Sequence, residues 1–315
     1  MLAYAVRRLL ATIPVLFVVA VLIFLLLHLG PSDPAAVIAG DFAQPEHIER
    51  IRQDLGLDRP LYVQFGTWIW DVLQGDLGSS IYNDRQVSEL ILQRVEPTLA
   101  LTLSTISFAV LIGVPIGVLA AWKAGSFVDR AVMMVAVTGF SLPVFVLGYI
   151  LIFVFALKLQ LLPVQGYASY RDGIVPFVRS LVLPTLSLGM IYVALIARMT
   201  RASVIEVLNQ DYVRTARAKG LATAPILLIH ALKNAAIPIV TTIGLGVALL
   251  ISGVVVTETV FALPGIGRLT VDAIVRKDYP VIQGVLLIFT VVYVLINLAV
   301  DLSYSLFDPR IRYQN

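Results

Sequence analysis

The 315-residue sequence contains no cysteine. Disulfides, thiol nucleophiles and Cys-ligated metals are therefore excluded, and no redox compartment can be read from it. Histidine is scarce: His28, His47 and His230 are the three. The topology expected below separates them across a membrane, so they form no shared metal centre, which needs convergent ligands. Charge is thin at 14% of residues, against about 25% in soluble domains. The net charge of +3 is too small and too dispersed to form a nucleic-acid footprint. The phosphate-cradling pattern G-x-x-x-x-G-K-S/T is missing. The Gly244/Gly246 and Gly265/Gly267 pairs lack the preceding soluble strand and the third glycine of a nucleotide fingerprint. The chain is not expected to bind ATP itself.

What is abundant is apolar: 59% of residues are hydrophobic and the mean hydropathy is +0.91. Residues 9–29 are an uncharged run of 21, enough for roughly 30 Å of bilayer. Arg7 and Arg8 before it look like the start of a signal peptide. The run exceeds a cleavable apolar core of about 7 to 15 residues and no convincing A-x-A site follows, so an uncleaved first span with a cytoplasmic N-terminus is expected. Further runs at 98–121, 131–157, 181–199, 237–257 and 285–306 bring the expectation to six spans. With this orientation 12 of the 23 Lys and Arg residues lie on the cytoplasmic side. The other 11 are spread over roughly twice as many outer residues, which fits N-in and C-in. The expected fold is an all-α membrane protein. Residues 1–29 hold the N-terminus and first helix, 30–97 an outer helical segment, and 98–315 a core of five helices with a cytoplasmic loop at 200–236.

The outer segment carries 11 acidic and 5 basic residues. A piece of that size makes a marginal core alone, so its helices are expected on the membrane surface or against neighbouring spans. Trp68 and Trp70 read as interfacial anchors. Its acids show no pairing with a nucleophile or metal partner that would suggest catalysis. Within the spans, Pro115 and the Ser141-Leu142-Pro143 step are candidate gate elements, Pro143 being the best hinge; Pro and Gly are also ordinary packing features of spanning helices. Gly244, Gly246, Ala248, Ser252 and Gly253 would allow close helix approach, and an intersubunit seam is expected along them. Glu258 and Asp301 sit at span ends, where water is within reach. A buried coupling charge is therefore wanting, which points to an energy source outside the chain and disfavours a lone ion-coupled carrier or channel. An intramembrane hydrolase would need a histidine at the depth of Ser141, and none is identified.

The one stretch that turns basic and helical runs from Arg198 to Pro238. Asp211 suits a helix N-cap, Gly220 suits the residue after the C-cap, and Pro225 follows. Arg214, Arg217 and Lys219 crowd the end where cations complement the helix dipole. Eight residues make a rod of roughly 12 Å, too short to be stable alone. A solvated loop touching anionic lipid would have the same composition.

D-Y-V-R-T-A-R-A-K-G-L at 211–221, followed by H-A-L-K-N-A-A-I-P at 230–238, resembles the E-A-A…G loop of ATP-binding-cassette importer permeases, most closely the dipeptide/oligopeptide branch. Ala216 and Gly220 match that signature. Arg214 and Thr215 stand where it has Glu and Ala, and Lys233 where it usually has Pro. The resemblance implies a coupling helix whose Asp211, Tyr212, Arg214, Thr215, Ala216, Arg217, Ala218, Lys219 and Gly220 contact an ATPase. E-T-V-F-A-L-P-G-I-G-R-L from Glu258 is similar to a stretch of the outer vestibule in these permeases, which would place Glu258, Phe261, Pro264, Gly265, Gly267 and Arg268 there. The opening Met1-Leu2 with Arg7-Arg8-Leu9-Leu10, the P-S-D-P turn at 31–34 and the ending F-D-P-R-I-R-Y from Phe307 extend the likeness over the whole chain. It implies a permease subunit of the bacterial inner membrane that pairs with a second homologous permease, two cytoplasmic ATPase subunits and an external solute-binding protein. Its cargo would be di- or oligopeptides, although nickel chelates, glutathione and opines use the same branch. ATP and Mg would reside on the ATPases, with no cofactor in this chain.

Overall fold

A computed structural model describes residues 2–29, 34–39, 44–54 and 56–307. Met1, most of the P-S-D-P turn and the C-terminal motif beyond Phe307 lie outside the described residues. The helices are α1 (Leu2–Leu29), α2 (Pro34–Ala39), α3 (Pro45–Asp54), α4 (Leu61–Leu73), α5 (Val87–Trp122), α6 (Phe127–Ser141) and α7 (Val144–Leu151), which runs on as a π-helix over Ile152–Lys158. After a short 3₁₀ turn come α8 (Ile174–Leu208) and α9 (Asp211–Ala218). Then follow α10 (Thr223–Pro225), a second π stretch (Ile226–Ala231), α11 (Leu232–Asn234), α12 (Ala236–Val260), α13 (Ile266–Arg276) and α14 (Tyr279–Phe307). A lone Ser79–Gln86 bridge is the extent of β pairing among the described residues.

Among the described residues four single helices are long and apolar enough to cross a membrane: α1, α5, α8 and α14. Two bent pairs raise the count to six if each forms one span, Phe127–Ser141 with Val144–Lys158 at 102° and Thr223–Asn234 with Ala236–Leu250 at 61°. The expected kink at Pro143 is thus a break between two helices. Leu142 is extended (φ −84°, ψ 126°) and Pro143 is the N-cap of α7, because a residue before proline is pushed out of the helical region and proline offers no N–H. Pro115 behaves differently and lies inside an unbroken α5.

The chain divides into two compact units, 2–95 with 268–294 and 96–267 with the end of α14. In the first, α4 packs on α1 through an aromatic cluster: Phe24 lies 5.3 Å from Phe65 and 5.7 Å from Trp68 between ring centroids. Trp68 is therefore a packing residue, whereas Trp70 is exposed. The neighbouring loop is tied to Asp278, whose buried carboxylate accepts the Ser80 hydroxyl at 2.5 Å.

The second unit is built around α8. Leu183, Leu188 and Ile196 join Leu101, Leu250 and Leu263 in a core with 1% exposure or less. Gly244 and Gly253 of α12 let it approach its neighbours within this chain. A methyl at Gly244 would fall 2.3 Å from Val300 Cγ2, and one at Gly253 2.7 Å from Leu188 Cδ1. At these two glycines the close approach serves packing within the chain, and Leu245, Leu249, Val256 and Thr259 are exposed among the described positions of α12.

Ser126 caps α6 through the Asp129 N–H, and the buried Asp129 carboxylate accepts Gly125 N–H at 2.9 Å and the Arg201 guanidinium through two nitrogens, one at 2.7 Å. A bidentate pair of this kind joins α6 to α8. Asp129→Ala strands Arg201 and is expected to cost about 3 kcal/mol, measured as a lower thermal midpoint in detergent; adding Arg201→Met should recover much of it.

Candidate functional site

The loop from Asn209 to Ala235 is assembled from its own backbone. Gln210 is extended (φ −73°, ψ 148°) and forms the N-cap of α9 without a side-chain bond. Asp211 is consequently the first helical residue, and the capping role expected for it is not realised. From that position its carboxylate faces water, 3.4 Å from Arg214 with both side chains exposed, a pair of little worth. Its acidity still complements the positive end of the helix dipole. The other end closes as the sequence suggests. Gly220 has φ +79°, its N–H bonds Arg217 O at 2.9 Å, and Leu221 N–H reaches Ala216 O at 3.2 Å. This is the paired 5→2 and 6→1 pattern of a left-handed C-cap, which glycine adopts at least cost.

Val213 is fully buried and Ala216, one turn on, is half-buried, so α9 rests on one edge. Asp211, Tyr212, Arg214, Thr215, Arg217, Ala218, Lys219 and Gly220 are exposed. Tyr212 is steadied by Asn234, whose Nδ2 donates to its hydroxyl at 2.9 Å and to His230 O at 2.7 Å. Beneath, Leu227, Ala231, Ala235 and Ile239 pack with Ala121 and Val204. Sequence reasoning missed Val213 and Asn234. The single apolar residue amid D-Y-V-R-T was a signal for the first, and the second left none. The arrangement holds no nucleophile or acid–base pair. It offers a short, fixed rod with a basic, hydroxyl-bearing face.

The gate candidates lie elsewhere. Ser141 turns its hydroxyl onto Val137 O at 2.8 Å, which occupies its proton.

The turn after α12 is built around Glu258. Its side chain is fully buried, contrary to the expectation that it reaches water, because the chain doubles back over the end of the helix. Thr98 Oγ1 donates to Glu258 Oε1 at 2.6 Å and accepts the Ile266 N–H at 2.8 Å, while Leu263 N–H bonds Glu258 O at 2.9 Å. Gly265 and Gly267 are required by close approach. A methyl at Gly265 would lie 2.0 Å from Glu258 Oε1, and one at Gly267 2.7 Å from Val255 Cα. Phe261 is buried and Pro264 exposed, and Arg268, half-buried on α13, belongs to the other unit. The turn is buttressed by Gly166 N–H on Phe261 O at 2.9 Å and Gln165 Nε2 on Val260 O at 3.1 Å. Beside it Tyr167 donates to Glu96 at 2.9 Å. Burial, then the Glu96 carboxylate, hold this phenol above its ordinary range.

With this geometry in place, residues 113–313, which contain α9 and the Glu258 turn, match the family described as binding-protein-dependent transport system inner membrane component. Residues 1–102 match the N-terminal region of such membrane components. The chain belongs to this family. It is a permease, a multi-pass membrane subunit of an ABC importer. Among its relatives, the probable peptide ABC transporter permease protein y4tP of Sinorhizobium fredii is 54% identical over 98% of this chain and 99% of its own length. The glutathione transport system permease protein GsiC of Escherichia coli K12 is 46% identical over the full length of both. A chain of the MetNI methionine ABC transporter in an inward-facing conformation superposes with a TM-score of 0.58 at 20% identity, covering 70% of this permease and 96% of that chain. That likeness speaks for the fold.

Proposed function

We propose that this permease, with a second homologous permease, encloses a path for uptake of short peptides across the bacterial inner membrane. The peptides are delivered by a solute-binding protein, and two cytoplasmic ATPase subunits, which carry the ATP and Mg, drive the cycle. The N- and C-termini are cytoplasmic, so α9 faces the ATPases. The observation that carries the reading is α9 itself: a helix anchored by Val213, closed by Gly220 and left with Tyr212, Arg214, Arg217 and Lys219 exposed. A short rigid helix seated in a partner's groove moves with that groove and passes the motion to α8 and α12, to which its loop connects. Support for peptide cargo comes from the relatives named for peptides and for glutathione, since glutathione is a tripeptide.

The test is uptake by proteoliposomes holding the assembled complex, with labelled di- and tripeptides, glutathione, an opine and a nickel chelate offered through the binding protein. ATP-dependent accumulation of the peptides alone is expected. Accumulation of the nickel chelate or opine in their place would overturn the cargo. Uptake by this permease alone, without ATPases, would overturn the importer mechanism.

A further inference from the structure

A cavity of about 240 Å³ in the first unit has no part in the function above; Phe24, Trp68, Arg59, Asp71, Gln64 and Thr67 are among its lining residues. Phe24 lies five residues short of the end of the uncharged apolar run 9–29 of α1. At about 1.5 Å of rise per residue it lies roughly 7 Å inside the end of that run, so this wall of the cavity reaches the acyl region below the headgroups. Helix α4 fits a position at the interface. Its Phe65 and Trp68 pack on α1, while Tyr62, Trp70 and Leu73 are 78%, 63% and 74% exposed on another face, as in a helix lying at the interface with amphipathic aromatics toward lipid.

The lining is apolar on the α1 side and bears one guanidinium and one carboxylate. Arg59 and Asp71 are both exposed, and neither side chain makes an ion pair or hydrogen bond among the described residues. The rim is otherwise self-satisfied: Gln64 Nε2 donates to Leu57 O and Arg59 O at 3.1 and 2.7 Å, and Thr67 Oγ1 to Val63 O at 3.1 Å. Two opposite charges left unpaired in one cavity whose apolar wall reaches the acyl region complement a zwitterion with a phosphate and an ammonium. We propose that this cavity binds the headgroup of a phospholipid bearing a primary amine. Arg59 takes the phosphate, and Asp71 accepts hydrogen bonds from the ammonium. Trp68 and Phe24 line the path of the acyl chains. A choline headgroup has no N–H to give Asp71, and a glycerol headgroup has no cation.

Native mass spectrometry of the purified full chain in detergent, titrated with phosphatidylethanolamine, phosphatidylcholine and phosphatidylglycerol of matched acyl chains, tests this. The amine lipid should be retained about tenfold more tightly than the other two, the worth of one charged hydrogen bond. Asp71→Asn should erase that preference, and Arg59→Gln should weaken retention of all three. Equal retention of the three lipids, or a preference that survives Asp71→Asn, overturns the proposal. Soluble O-phosphoethanolamine abolishing lipid retention at equal concentration would also overturn it, in favour of a water-soluble ligand. Both side chains are exposed, so the variants keep the fold.

Discussion

Alanine at Gly265 is expected to be among the most damaging single-methyl changes in the chain. The added carbon would sit 2.0 Å from Glu258 Oε1 and 2.1 Å from its Cδ. That carboxylate is fully buried and held by the Thr98 hydroxyl, which in turn holds the Ile266 N–H. Relief requires moving either the turn or the acid, and each movement breaks a bond in a place without water. Overpacking costs about 1–3 kcal/mol and leaving a buried polar group unsatisfied adds about as much. A total of about 4 kcal/mol should appear as a sharply lower thermal midpoint and a low yield of monodisperse protein in detergent. Pro264→Ala, one residue away but exposed, should change stability by less than about 0.5 kcal/mol. Combining Gly265→Ala with Glu258→Ala should be strongly non-additive, because the second change removes the obstruction met by the first. A Gly265→Ala chain melting like the parent would show that the carboxylate does not occupy this position.

Proline at Gly220 should separate ATP hydrolysis from transport. Gly220 has φ +79°, while proline is confined near −65° and has no N–H to give Arg217 O. The C-cap of α9 would open at a local cost of about 3 kcal/mol, enough to melt a helix of eight residues. Gly220 is exposed and outside the candidate spanning helices, so membrane insertion and assembly should be unchanged. In proteoliposomes with the ATPases and binding protein, peptide uptake is expected to fall to background while ATP hydrolysis persists. The double change Arg214→Glu, Arg217→Glu should act the same way while leaving the Gly220 cap and the Val213 anchor in place, since both side chains are exposed. Peptide uptake at the parent rate in both variants would rule out α9 as the coupling element.

The spans were legible because a bilayer demands about twenty apolar residues in a row, and that demand is written locally. α9 was legible for a related reason: Gly220 and Pro225 bound it, and a glycine at the end of a basic helix has a conformational meaning of its own. Its first residue was misassigned because Asp is equally at home at the N-cap and in the first turn. The environment of Glu258 could not be read locally. Its hydrogen-bond partner Thr98 is 160 positions away, and only the P-G-x-G spacing hinted that something bulky lay beneath the turn. Asp129 and Arg201, 72 positions apart, are hidden for the same reason. Pro143 and Pro115 make the complementary point. The same residue type ends one helix and sits quietly inside another, because neighbouring helices decide whether a freed carbonyl can be satisfied.

The way α9 is held has a thermodynamic consequence. An eight-residue helix would be mostly unfolded if it dangled from a loop, and ordering its backbone would withdraw on the order of 10 kcal/mol from any encounter with a partner. Val213, the Gly220 cap and the Asn234 clasp on Tyr212 settle that entropy during folding of the permease. A partner therefore meets a preorganised shape, and the free energy of its contact remains available for transmitting force.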